Sequence, residues 1–431
     1  MKKYRFVIFA VLVLILLCTA AGNGFAQESP EMQKIRGDYL TVKVAVIGPG
    51  DELYFWWGHI GLIIEDAFTG NSKFYDYGLF SFENENFFLN FALGRLLYSC
   101  GASPVSANVN HYRKTNRDIF IYTLDLEPQK KEEVRAFAEK NILPENRDYY
   151  YHHFKDNCAT RIRDIIDLGT AGQFKEAFGE APGRFTLRQE VRRHTWFAPF
   201  FDWLLNFLMG QRIDQPITVW EEMFLPSEIG DNIRNFTYTD SSGRQRKLVS
   251  AEETLNLAVN RPAVLDAPRK QWPRELLFGC AISLVLVFIL LLGRTKPVAG
   301  RVALGVSQSV IGLFFGIAGL VLFFMTFFTN HDYTYDNANL LYVNPFLLLA
   351  VPLGIRLARG KLTTFRFRTG SILKALWTVS FFCGILSMLI KLLPWFYQQN
   401  QVDQALYLPI ALVLSFIPGW LGKLLPEKRT A

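Results

Sequence analysis

Apolar residues are crowded into the last third of this chain. From about residue 276 onward there are five apolar runs, near 276–293, 303–328, 340–355, 371–393 and 405–422. Each is close to the ~17–25 residues that cross a bilayer as a helix. Pro345, Pro352, Pro409 and Pro418 interrupt the third and fifth. Arg294, Lys296 and Arg301 follow the first run, and Arg356, Arg359, Lys361, Arg366 and Arg368 follow the third. Lys423, Lys428 and Arg429 follow the fifth. The loops 329–339 and 394–404 carry no Lys or Arg. Cytoplasmic loops collect basic residues, so the first set lies inside and residues 27–275 lie outside.

The N-terminus leads to the same side. A basic start (MKKYRF), an apolar stretch and the small-residue site Gly24-Phe25-Ala26 fit a secretory signal cleaved after Ala26. An uncleaved anchor helix is the alternative. The predicted layout is a signal at 1–26, an exported domain at 27–235, a connector at 236–275, a five-helix membrane domain at 276–422 and a basic tail at 423–431.

Composition removes several classes. Half of the residues are hydrophobic and 38 are Phe, which excludes a disordered chain. Five Cys in 431 residues are too few for a disulfide scaffold. The net charge of +7 is largely the inside anchors, so it points to no nucleic-acid partner. The spans hold almost no ionisable groups apart from Lys374 and Lys391 near the ends of the fourth, which argues against a transporter.

The exported part reads as α+β. Strands are expected at 40–47, 60–65, 73–77 and 118–126, and helices at 83–99 and 129–141. A further helix is expected directly after Asp156-Asn157. There is no regular βαβ alternation. Residues 184–209 combine Arg184, Arg188, Arg192 and Arg193 with TWFAPFFDWLLNFLMG. That pattern fits either the bilayer interface or a buried core helix. Residues 236–270 read as a polar connector.

Only Cys100 and Cys158 fall in the exported domain outside the signal. One reading is a disulfide between them. The other starts from the position of Cys158. Asp156 and Asn157 are helix N-cap residues, so Cys158 falls in a first turn, where the helix dipole favours a thiolate. Arg161 lies on the same helical face. A thiolate nucleophile needs a base. His59, between Gly58 and Gly61, opens one strand, and Asp76 in Phe74-Tyr75-Asp76-Tyr77-Gly78 falls on the next. If those strands pair, Asp76 can orient the imidazole. His152 and His153 are rival bases, and a satisfied core histidine is the plain alternative for His59. No metal-ligand spacing is present, and no cofactor motif.

An early Gly-His on a strand, a polar residue on the next strand, and Asn-Cys opening a helix resemble the circularly permuted papain-like fold of NlpC-type peptidases and lecithin–retinol-type acyltransferases. More closely, WWGHI, YDYG, NFALGRLLY, DNCATRIRD and GRFTLRQ resemble segments of the Lnb family of bacterial lipoprotein N-acyltransferases. So do Asp214-Gln215-Pro216, Phe224-Leu225-Pro226, and Thr329-Asn330-His331-Asp332 with the Asn337-to-Pro345 stretch. Asp76 departs from the family's more usual Asn.

The resemblance implies a permuted papain-like thiol domain outside the membrane, followed by five transmembrane helices in the bacterial cytoplasmic membrane. It implies an enzyme that moves a fatty acyl group through a Cys158 thioester onto the α-amine of the lipid-modified N-terminal Cys of lipoproteins. His59 would be the base and Asp76 its orienting partner. Asn157, Arg161, Trp57, Tyr75 and His331 would support substrate or oxyanion. The partners implied are lipoprotein substrates and a membrane phospholipid or glyceryl ester as acyl donor. The alternatives are a cell-envelope cysteine peptidase or amidase of NlpC type, and a non-enzymatic membrane assembly protein.

Overall fold

The computed structural model of the chain describes residues 30–81, 86–364 and 367–417. The signal segment, the basic tail and the end of the fifth apolar run lie outside the described residues.

Seven strands form one antiparallel sheet: β1 (Leu40–Ile47), β2 (His59–Asp66), β3 (Asn71–Leu79), β4 (Leu97–Pro104), β5 (Ile119–Leu124), β6 (Asp148–Tyr150) and β9 (Val249–Asn256). Their order is β6-β4-β3-β2-β1-β5-β9. A short hairpin, β7 (Thr237–Thr239) with β8 (Gln245–Lys247), precedes the last strand. Alternation drives the layering, because successive side chains in a strand point to opposite faces. Val42, Val44, Ile60, Leu62 and Tyr75 pack one face against the helix that starts at Cys158. Ala45, Ile47, Ile63 and Phe74 pack the other face against Tyr112.

Two expectations about the exported domain need correction. Residues 83–99 do not form one helix. A six-residue helix, α1 (Phe87–Ala92), is followed by β4, whose pairing with β3 overrides the local helical pattern. The connector is not merely polar linker either. β9 pairs with β5 and completes the sheet, so the exported fold runs through Asn256.

Further helices are α2 (Val105–Lys114), α3 (Pro128–Asn141), α4 (Cys158–Gly169), α5 (Leu187–Thr195) and α6 (Pro199–Leu208). Two of the arginines of 184–209 are enclosed by the fold. Arg188 is buried and paired with Asp214 at 2.8 Å, and its other nitrogens donate to the Asn206, Met209 and Gly210 carbonyls. Arg193 pairs with Glu190. The aromatic half does meet the membrane domain: Trp203 stacks on Phe314 at 6.1 Å, and Phe207 joins the membrane core.

In the membrane domain come α7 (Trp272–Thr295), α8 (Pro297–Phe328), α9 (Ala350–Ala358), α10 (Thr369–Leu389) and α11 (Gln401–Ser415). Among the described residues, 4 segments are long and apolar enough to span: Trp272–Thr295, Pro297–Phe328, Ala338–Ala358 and Thr369–Leu392. The third is a helix only in its second half and begins as 3-10 turns around Pro345. The described part of the fifth run, α11, has 15 residues and contains Pro409.

The outer loop after α8 is bonded to the exported domain. Asn330 N–H donates to the Leu93 carbonyl at 2.8 Å, and Gly210 N–H donates to the Tyr333 carbonyl at 2.8 Å. Asn337 Nδ2 donates to the Phe207 carbonyl at 2.9 Å. Asp332 receives His152 at 2.7 Å and also Lys155. These contacts bond loops and helices of the exported domain to the outer loop of the membrane domain.

Candidate active site

Why Cys158 begins a helix is visible in its cap. The Asn157 Oδ1 accepts the Thr160 N–H at 2.9 Å, and Thr160 Oγ1 accepts the Asn157 N–H at 2.9 Å, a closed capping box. Ile162, Ile165 and Ile166 then carry the buried stripe onto the sheet. This leaves Cys158 partly exposed at the first helical position. The cap satisfies the Thr160 N–H and leaves those of Cys158 and Ala159, at the positive end of the helix dipole, to other partners.

β2 and β3 pair with Gly61 opposite Asp76. His59 and Asp76 therefore share the face of Ile63 and Phe74, and His59 Nε2 lies 3.0 Å from Asp76 Oδ1. The same oxygen accepts the Gly78 N–H at 2.7 Å. A Cβ at Gly78 would stand 2.7 Å from the His59 ring, so a glycine there lets the imidazole lie across β3.

Both groups are buried, and their charges support each other. Burial alone would push the His59 imidazole down, but the Asp76 carboxylate overrides it, helped by Tyr112 and Cys158, and holds it well above the usual range. For Asp76, burial pushes upward, and the His59 charge, its hydrogen bond and the Gly78 N–H win, with Arg117 assisting, so the carboxyl sits below its usual range. With Nε2 committed to Asp76, Nδ1 is the nitrogen left for a thiol proton. The charge of Cys158 acts on His59 and Tyr112, and also on Tyr98 and Tyr149 from β4 and β6. Cys158 is thus in electrostatic reach of residues on both faces of the sheet.

The structure separates the remaining expected site residues. Asn157 is engaged by the fold: its Oδ1 caps the helix and its Nδ2 donates to the His153 and Phe224 carbonyls at 2.7 and 3.0 Å. Arg161 is held by Asp156 at 2.8 and 3.0 Å and lies 3.7 Å over the Tyr149 ring, so its charge is largely spent locally. Tyr75 points to the opposite face from Asp76 and donates to Glu139 at 2.6 Å. His331 is a strut, with Nε2 on the Phe91 carbonyl at 2.9 Å and Nδ1 on the Tyr333 hydroxyl at 2.7 Å; burial pushes its pKa down. Trp57 packs edge-on to His153 at 4.7 Å, and its indole N–H has no partner.

The rival bases are also placed. His152 is taken by Asp332. His153 is pushed down to about 3 by burial, with the His152 and His194 charges adding, so it is neutral. Cys100 and Cys158 are both free thiols, and Cys100 donates to the Asn141 carbonyl at 2.8 Å, which removes the disulfide reading. Among the described residues no group of three or more His, Cys, Asp or Glu could hold a metal ion.

Sequence reasoning missed Arg117. It precedes β5 in an unremarkable Asn-Arg-Asp stretch, yet it is only 1% exposed. Its Nε donates to the Gly48 carbonyl at 2.8 Å, and its guanidinium lies 4.7 Å from the Phe55 ring and 5.1 Å from the Tyr112 ring. Nη1 and Nη2 have no hydrogen-bond partner among the described residues. No periodicity marks such a residue; its only sequence signal is a charge at the threshold of a buried strand.

Comparison with known families matches residues 26–191 to the Lnb N-terminal periplasmic domain. Residues 276–419 match the Lnb transmembrane domain. No curated protein and no solved structure matched the chain. The protein is therefore an inner-membrane protein whose exported domain is periplasmic. In the order sheet domain, then apolar helices, both parts match one family, and the chain belongs to the Lnb family.

Proposed function

We propose that this protein is a lipoprotein N-acyltransferase working through a Cys158 acyl-thioester on a permuted papain-like domain. The observation that carries the reading is the hydrogen bond from His59 Nε2 to Asp76, which leaves Nδ1 unengaged by the carboxylate while Cys158 opens a capped helix.

In the first half-reaction the Cys158 proton passes to His59 Nδ1, and the sulfur attacks the ester carbonyl of the donor lipid. A C–S bond forms, the ester C–O bond breaks, and the leaving alkoxide takes the proton from His59. In the second, the lipoprotein α-amine attacks the thioester. A C–N bond forms, the C–S bond breaks, and the amine proton returns through His59 to the sulfur. Asp76 stabilises the imidazolium in both halves. The Cys158 and Ala159 N–H groups are the donors for the oxyanion. The imidazole's raised pKa supports this role, because the ring must hold the thiol proton until the leaving alkoxide takes it.

The test is mass spectrometry of a lipoprotein N-terminus from cells that depend on this protein. Cys158→Ser should leave the α-amine free while the variant accumulates in the membrane. A fully acylated amine in that strain would remove the reading.

A further inference from the structure

α1 carries three exposed apolar side chains. Phe88 is 76% exposed, and Leu89 and Phe91 are also exposed. Its neighbours place it at the membrane. The carbonyls of Phe91 and Leu93 accept from His331 Nε2 at 2.9 Å and Asn330 N–H at 2.8 Å, and those residues lie just beyond the outer end of α8. The last turn of α8 exposes Phe327 and Phe328 outward, as expected of side chains that meet lipid. α1 is therefore held within hydrogen-bond length of the segment where a spanning helix leaves the bilayer.

From α1 a row of rings runs inward. Phe91 stacks on Phe87 at 6.3 Å, Phe87 on Phe80 at 6.2 Å, Phe80 on Tyr98 at 4.9 Å, and Tyr98 on Tyr151 at 4.3 Å. Tyr98 and Tyr151 are both in electrostatic reach of Cys158. Tyr98 also lies 6.4 Å from the Tyr149 ring, over which Arg161 in the first turn of α4 sits at 3.7 Å, so the row runs from beside the outer end of α8 to the first turn of the Cys158 helix.

We propose that α1 is seated in the outer leaflet of the inner membrane, where Phe88, Leu89 and Phe91 contact lipid acyl chains, and that the row Phe91–Phe87–Phe80–Tyr98 guides one such chain toward Cys158. The seat stands on the geometry alone; the route rests on the proposed function of Cys158. A row of aromatic faces suits this task, since it offers an acyl chain apolar contact without a polar group to desolvate. A single exposed apolar residue needs no explanation, but three on one short helix beside a membrane span do.

Photocrosslinking separates the two parts. The full-length protein, in membranes fed a phospholipid with an alkyne-tagged acyl chain, carries p-benzoylphenylalanine at Phe88, Phe68 or Phe327. Phe68 is 79% exposed, as open as Phe88, but sits in the turn between β2 and β3, at the end of β2 away from His59. Phe327 reports the lipid contact of a spanning helix. The seat predicts tagged adducts at Phe88 approaching those at Phe327, and background at Phe68. Adducts at Phe88 no stronger than at Phe68, with Phe327 labelled, would overturn it. For the route, Phe87→Asp with Phe91→Asp should lower lipid-derived acylation of Cys158 at least tenfold, while iodoacetamide labels Cys158 at the unchanged rate. Full acylation of that double variant would overturn the route. If Cys158→Ser leaves lipoprotein N-acylation intact, the functional reading fails while the Phe88 adduct remains.

Discussion

Asp76 Oδ1 accepts two hydrogen bonds at once, from His59 Nε2 at 3.0 Å and from the Gly78 N–H at 2.7 Å. The carboxylate is thereby fixed against its own strand and cannot turn from the imidazole without losing a backbone partner. The register of β2 against β3, Gly61 opposite Asp76, is what permits it.

This pair sets a pH dependence. The His59 pKa is raised, so its contribution to stability is complete below the ordinary imidazole value of ~6.5 and is lost as pH rises through the raised folded value. The Asp76 pKa is lowered, so its contribution is complete above ~3.9 and is lost as pH falls through the depressed value. In Asp76→Asn, burial is no longer opposed by a carboxylate, and His59 should titrate lower than in the parent protein. Histidine NMR against pH checks this; an unmoved titration would show that Asp76 does not set the ring's charge.

Cys158→Ala should cut N-acylation by about 10³-fold or more, as loss of a nucleophile does in covalent catalysis. Cys100→Ser should keep nearly full activity, because the buried Cys100 thiol is committed to the Asn141 carbonyl. Single-turnover acyl transfer in membranes measures both. A Cys100 variant as impaired as the Cys158 variant would move the chemistry elsewhere.

Asn157→Ala removes an N-cap and two donor bonds, and a destabilisation of about 1–3 kcal/mol is expected. Thermal unfolding in detergent reports it. Activity per folded molecule should fall far less than in Cys158→Ala; a loss of equal size with unchanged stability would return Asn157 to the chemistry.

Arg117→Met removes a buried cation, two of whose nitrogens have no hydrogen-bond partner among the described residues, together with one bond to Gly48. These effects oppose each other, so stability should change by no more than about 1 kcal/mol. Arg117 helps to hold Asp76 low, so without it the acid limb of the pH–activity profile should move to higher pH. Arg117→Lys should keep the limb near its original position. Profiles that coincide for all three proteins would leave Arg117 a packing residue.

Asp332→Asn weakens the clamp between the outer loop and the exported domain, where His152 and Lys155 meet one carboxylate. His152, its hydrogen bond first and then Lys155, holds Asp332 below its usual range against burial. The pair is partly exposed, so a cost of about 1 kcal/mol is expected. Hydrogen exchange over residues 329–337 should quicken, with the sheet's exchange unchanged. Unchanged exchange in the loop would mean that the backbone bonds alone hold it.

Local signals made part of the site legible. Asp156-Asn157 before an isoleucine stripe announces a capped helix, because capping and amphipathic spacing are decided within one turn of chain. His59 and Asp76 could be paired on the expectation that neighbouring strands form a hairpin. Other assignments failed where partners come from far away. Tyr75 differs from Asp76 by one position and faces the other way, toward Glu139 on α3. His331 is bound at both nitrogens. Arg188 reads as a surface cation until Asp214 and three carbonyls enclose it.

By itself, then, the sequence determined the number of apolar runs, the periplasmic side of the N-terminal domain, the Cys158 cap and the pairing of His59 with Asp76. Those follow from periodicity, charge bias and short-range hydrogen bonding, which act between residues near in the chain. Tertiary structure alone decided that residues 97–104 pair as a strand, that Arg117 is enclosed beside the site, and that the loop after α8 grips the exported domain. Each of these depends on groups separated by tens to hundreds of residues, whose meeting is set by how the sheet packs and by where the membrane helices end.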